Sequence, residues 1–166
     1  MIDYEKILTA HPDEYGGKWR IEGNSTDYDN IVWKTDDPPS KEELDALWDD
    51  VAVKRARTAA YSRIKRGHAD AVADLRDRYP QTEREGWHEL VADAKDGGGE
   101  CIERYADELG VSVEDAISRV LAAREGYRKG FGEATGKLTR LRDEIDAAET
   151  VEELEAIKWP DAERTE

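Results

Sequence analysis

The sequence predicts a mainly α protein of long amphipathic helices, a helical bundle or coiled-coil-like assembly, with a small N-terminal β-hairpin. Three observations carry that expectation. Charged residues make up 39% of the chain and hydrophobic ones 38%, whereas roughly a quarter of an ordinary domain is charged. So thin an apolar supply suits helices with one buried stripe better than a sandwich or a wide sheet. After residue 40, apolar side chains recur at steps of three and four, the helical period. Only the first 39 residues depart from it, with alternating short runs set among turn formers and aromatics.

In that first stretch, Lys18-Trp19-Arg20-Ile21-Glu22 alternates apolar and charged residues, and Asn30-Ile31-Val32-Trp33-Lys34 is a second strand-like run. The turn-forming segment Gly23–Asp29 lies between them, so a hairpin with a long loop is expected. A lone hairpin is marginal in water and needs a surface to pack on. That surface is either the chain's own helices or a partner, which makes Trp19 and Trp33 candidate docking residues. Pro38-Pro39 closes this module, residues 1–39.

Ser40-Lys41-Glu42-Glu43 reads as a capping box. It opens a long connecting helix over 40–79, uninterrupted by proline until Pro80. Its stripes are Leu44, Leu47, Trp48, Val51 and then Tyr61, Ile64, His68, Val72, Leu75, Tyr79. Gly67 is a candidate kink. Within this helix, residues 51–69 contain no acid but hold Lys54, Arg55, Arg57, Arg63, Lys65 and Arg66. Pairing with the acidic C-terminal helices fits that patch best, then docking onto an acidic partner or a second copy, with nucleic acid a distant third. Lys54, Arg55 and Arg57 are the candidate contacts.

A C-terminal helical domain is expected over 80–160. Thr82-Glu83-Arg84-Glu85 reads as another capping box, ahead of a helix carrying Trp87, Leu90, Val91 and Ala94. Gly97-Gly98-Gly99 ends it as a flexible joint. A short helix with Ile102, Tyr105, Ala106 and Leu109 stops at Gly110. Ser112 opens the longest heptad pattern: Ile117, Val120, Arg124, Tyr127, Phe131, Ala134, Leu138, Leu141 and Ile145, apolar at every position but Arg124. Such a seam buries its residues against another helix of the chain or of a second copy. Tyr127, Phe131, Leu138 and Leu141 are therefore candidate association residues. Gly126 and Gly130 share a face and admit a close neighbour. Gly130-Phe131-Gly132 is also a candidate break. Thr150-Val151-Glu152-Glu153 caps a last short helix, and Trp159-Pro160 ends it, with Trp159 a further candidate contact. The polar tail 161–166 should fray.

The formal net charge is −15. Residues 80–166 hold 23 acids against 12 bases, a net −11. Such a surface disfavours nucleic acid and anionic membranes and favours basic partners. Neither nucleic acid nor a membrane is expected as a partner. No apolar run approaches the roughly 18 residues of a membrane span, and the N-terminus lacks a secretory pattern. Synthesis and folding in the cytoplasm follow. The single cysteine, Cys101, excludes an internal disulfide. His11, His68 and His88 are scattered, so no metal site, cofactor site or catalytic group is assigned, and a non-enzymatic protein is expected.

Several of these features resemble a known group. Tyr28-Asp29-Asn30-Ile31-Val32-Trp33 followed by Pro38-Pro39-Ser40-Lys41-Glu42-Glu43-Leu44 is similar to the opening of many small phage tail-region proteins. From Tyr79-Pro80 through Trp87, Tyr105-Ala106, Gly110-Val111-Ser112, Tyr127 and Gly136 to Ala147-Ala148-Glu149-Thr150-Val151-Glu152-Glu153-Leu154, the chain resembles a phage domain of unknown function, DUF4376, encoded near tail-fibre genes. The resemblance covers about two-thirds of the chain, by motifs that are mostly helix starts and core positions. It implies a tail-fibre-associated structural protein in the virion tail, or a tail-fibre assembly chaperone. Its partners would be tail or tail-fibre proteins, with a homo-oligomer as a further expectation. The acidity alone leaves a third class, an acidic regulator or DNA mimic acting on a host protein.

Overall fold

A computed structural model describes residues 2–23 and 26–160. The expected frayed tail, 161–166, and two residues of the hairpin loop lie outside the described residues. The chain divides into two compact units: Met1–Tyr61 with Ala147–Ile157, and Ser62–Asp146 with Lys158–Glu166.

The first unit opens with two helices that the pattern of turn formers conceals. Helix α1 covers Tyr4–Ala10, started by the Asp3 carboxylate accepting the Lys6 amide, and α2 covers Pro12–Tyr15 with its proline in the first turn. The hairpin follows as expected. Strands β1 (Trp19–Ile21) and β2 (Ile31–Trp33) pair antiparallel with Trp19 opposite Trp33, and a 3-10 turn over Tyr28–Asn30 leads into β2. Tyr4, Ile7, Leu8, Ile31 and Leu44 form the buried core, with Trp19, Trp33, Tyr15, Tyr28, Leu47 and Trp48 packed against it. Helix α1 thus supplies the packing surface that a lone hairpin lacks.

Helix α3 runs from Lys41 to Arg78 without interruption. Its expected capping box is present: the Glu43 amide reaches the Ser40 hydroxyl at 3.2 Å, and the Ser40 amide donates to the Glu43 carboxylate at 2.7 Å. Gly67 does not break the helix. A methyl group there would lie 2.2 Å from Trp159 Cγ, so this glycine makes room for the indole.

In the second unit, α4 spans Gln81–Asp96, α5 Glu100–Leu109 and α6 Val113–Ala147. The capping box expected at Thr82 is absent. The helix begins at Gln81, directly after Pro80, which places Thr82 inside the first turn and leaves no side-chain cap. Gly97 and Gly110 end α4 and α5 in the left-handed conformation. The triple-glycine joint is tied down by a residue that sequence patterns do not single out. Asp93 Oδ2, reaching from α4, accepts the Cys101 and Ile102 amides at 2.9 and 3.2 Å, capping α5 from outside. Helix α6 is continuous through Gly130-Phe131-Gly132, and the Ser112 hydroxyl accepts the Asp115 amide at its start. One core cluster here is Trp87, Val91, Ile102, Ala106, Ala116 and Val120.

Gly126 and Gly130 admit close neighbours, as their shared face predicts. Tyr79 Oη and Leu75 Cδ2 occupy the positions a Cβ would need, at 2.5 and 2.6 Å. These pairings, 79 with 126 and 75 with 130, set α6 antiparallel to the 62–78 part of α3. The last helix, α7 (Val151–Ala156), carries its full predicted capping box between Thr150 and Glu153 and buries Leu154.

Candidate interaction surfaces

In the first unit, both hairpin tryptophans are half-buried in their own core. Trp33 meets Tyr15 edge-on at 6.5 Å, and Tyr4 meets Tyr28 at 5.6 Å. Of the two uses left open for Trp19 and Trp33, packing onto the chain itself accounts for most of their surface. Tyr4 fixes α1 onto α3 by donating its hydroxyl to Asp45 at 2.5 Å. Burial, then the Asp45 carboxylate, raises the Tyr4 phenol above its ordinary value. The Lys41 ammonium, then the Tyr4 hydroxyl, holds the Asp45 carboxyl below its own.

The basic patch splits in two. Arg57 is half-buried and donates to the Ala148 carbonyl at 2.8 Å, just past the end of α6, where a cation offsets the partial negative charge of a helix C-terminus. Lys54 and Arg55 instead lie exposed along a groove of about 510 Å³ floored by Val51, with Lys6 and Ala10 of α1 opposite.

In the second unit the heptad seam holds only in part. Val120, Ala134, Leu138, Leu141 and Ile145 are buried. Phe131, expected at the centre of the seam, is 41% exposed. The reason is a shift of the buried stripe. At the start of α6 the core takes Ala116 and Val120, a step of four, with Ile117 only half-buried. That face continues in alternating steps of four and three through Ala123 and Tyr127 to Gly130, where Leu75 packs, and Ala134, so it passes one residue before Phe131, which remains outside. Tyr127 joins an edge-to-face cluster with Tyr79 and Trp87, its ring 5.9 and 5.6 Å from theirs. Phe131 stacks on the outer side of Tyr127 at 6.1 Å and 18°. Trp159 lies over Gly67, edge-on to His68 at 6.0 Å, with the Lys137 ammonium 5.5 Å above its ring.

A surface that the sequence does not announce lies between α4 and α6. Arg84 is fixed there by three contacts: the Tyr79 carbonyl at 3.0 Å, the Tyr127 hydroxyl at 3.2 Å and the Tyr127 ring at 5.3 Å. Beside it runs a groove of about 460 Å³ lined by Arg84, Trp87, His88, Val91, Ala92, Lys95 and Arg124. The i, i+4, i+7, i+11 spacing of Arg84, His88, Val91 and Lys95 is the signal that could have found it. It is obscured because Arg84 falls within an expected capping box and Arg124 within an apolar seam.

Among the described residues, no group of three His, Cys, Asp or Glu side chains is arranged to hold a metal ion. No helix among them is long and apolar enough to cross a membrane. The chain matches no protein-family model, no curated protein and no solved structure.

Proposed function

We propose that this chain is a non-enzymatic structural protein of a tailed bacteriophage tail, a tail-fibre-associated adaptor that works by presenting helix faces to other proteins. The observation that carries the reading is the outer face around Tyr127. There an exposed Phe131 and an arginine held by three contacts both pack on the Tyr127 ring. Aromatic and arginine side chains dominate the energetics of protein interfaces, and fixing them beforehand lowers the entropy lost on binding. The resemblance of the Ala147–Leu154 ending and the Tyr28–Leu44 opening to phage tail-region proteins supplies the setting.

Quantitative mass spectrometry of purified particles of the encoding phage tests the proposal. A stoichiometric presence in the tail supports the adaptor. Absence from particles, with co-purification of free fibres, would replace it with an assembly chaperone. Co-purification with a host DNA-binding protein alone would replace it with an acidic mimic.

A further inference from the structure

We propose that the groove between α4 and α6 is a docking site for an acidic amphipathic segment of a partner protein. This deepens the adaptor reading, on which it rests, by naming the chemistry of what docks.

The charge of the groove runs against its surroundings. Residues 80–166 carry 23 acids and 12 bases, yet the groove is lined by Arg84, Lys95, Arg124 and His88 with no carboxylate among its lining residues. Two of these cations are poised for a ligand. Arg84 spends its Nε and one terminal nitrogen on Tyr79 and Tyr127 and keeps the other nitrogen without a partner among the described residues. Arg124 is half-buried on α6 and has no hydrogen-bond or ion-pair partner among the described residues. A partly desolvated guanidinium without an anion is costly, and an incoming carboxylate that takes two parallel N–H donors relieves that cost.

The floor decides which anion fits. Trp87 and Val91, 8% and 5% exposed, line the apolar part of the groove together with the exposed Ala92. A compact phosphate would neutralise the cations and make no use of the apolar lining. A helical segment with carboxylates on either side of a leucine-like side chain would cover both. The basic residues on α4, at positions 84, 88 and 95, follow a helical period that a second helix can track.

The test uses the full chain and a labelled synthetic peptide in which glutamates flank a leucine stripe at helical spacing, followed by fluorescence anisotropy. A matching peptide with glutamine for each glutamate and inorganic phosphate serve as the other probes. The glutamate peptide is expected to bind and to weaken with added salt. Lys95→Glu and Arg124→Glu should each weaken binding by roughly tenfold or more, while Lys34→Glu, on the other unit, should not. Lys95 is exposed, so its reversal leaves the helices intact by circular dichroism even if the Arg124 variant misfolds. Equal binding of the glutamine peptide, wild-type affinity in the Lys95 variant, or displacement of the peptide by equimolar phosphate would overturn the proposal. Particle composition is read separately, so peptide binding without incorporation into particles would fault the adaptor reading and leave the groove assignment standing.

Discussion

Gly67 shows how a single residue can be seen in a sequence and misjudged. A glycine inside a long helical pattern suggests a kink, because it weakens a helix by roughly 1 kcal/mol relative to alanine. In the folded chain the Trp159 indole occupies the place of its missing side chain. Gly67→Ala should therefore leave α3 intact, or strengthen it, while expelling Trp159. Acrylamide quenching that rises in Gly67→Ala but not in Gly67→Ala/Trp159→Phe, with unchanged helicity, is the expected pattern. Phe131 is the converse case. Heptad counting places it in a buried seam, but it is 41% exposed, stacked on Tyr127. Phe131→Asp is expected to leave the chain folded. Leu141→Ala, at a position 3% exposed, should cost about 2–5 kcal/mol in urea unfolding. Periodicity alone could not separate the two, because the packed row passes through Gly130 rather than Phe131 while both Phe131 and Leu141 fit the heptad spacing.

At the scale of elements, most caps with a local signal were legible, the exception being Thr82, which Pro80 pre-empts by starting α4 at Gln81. Ser40 and Glu43, Ser112, and Thr150 with Glu153 all act at the helix starts their sequence implies. The N-terminal helices α1 and α2 were not legible, since seven and four residues carry too little periodicity. Nor was the Asp93 cap, which acts across a loop rather than along a turn. Asp93→Ala should cost about 1 kcal/mol, in the range of a lost N-cap, and should speed amide exchange at Cys101 and Ile102. In α6, a methyl group at Gly132 or Gly136 would meet nothing within 4 Å. Alanine at either position should stabilise the chain by up to about 1 kcal/mol in thermal or urea unfolding. The capping boxes also have a pH signature. The Ser40 amide and hydroxyl hold the Glu43 carboxyl below its ordinary value, and the Glu149 and Thr150 amides do the same for Glu153. Their contribution is complete above the ordinary carboxylate value near pH ~4 and is lost as pH falls through the lowered values. Amide signals in the first turns of α3 and α7 should show fraying in that window and not at neutral pH.

For the whole molecule, a composition poor in apolar residues pointed correctly to a helical chain with thin cores. Every fully buried side chain among the described residues is apolar, and the ion pairs are surface pairs such as Lys41–Asp45 and Arg140–Glu144. Such pairs contribute little to stability, so the fold rests on its buried apolar side chains and its helix caps. The candidate sites were legible only as residue types. Sequence could mark tryptophans, a basic stretch and a seam. It could not show that Trp19 and Trp33 would turn inward or that Arg57 would serve a helix end. Nor could it bring Arg124 beside Lys95, residues 29 positions apart in the sequence. The proposed role has another protein seated on the outer face of α4 and α6. Hydrogen–deuterium exchange of the chain, alone and mixed with purified tail fibres, the partner proposed for it, is the decisive measurement. Slowed exchange is expected in the α4 segment around Arg84–Lys95 and the α6 segment around Arg124–Phe131, with the rest of the chain unchanged. Unaltered exchange in both segments while the chain is demonstrably fibre-bound would contradict it.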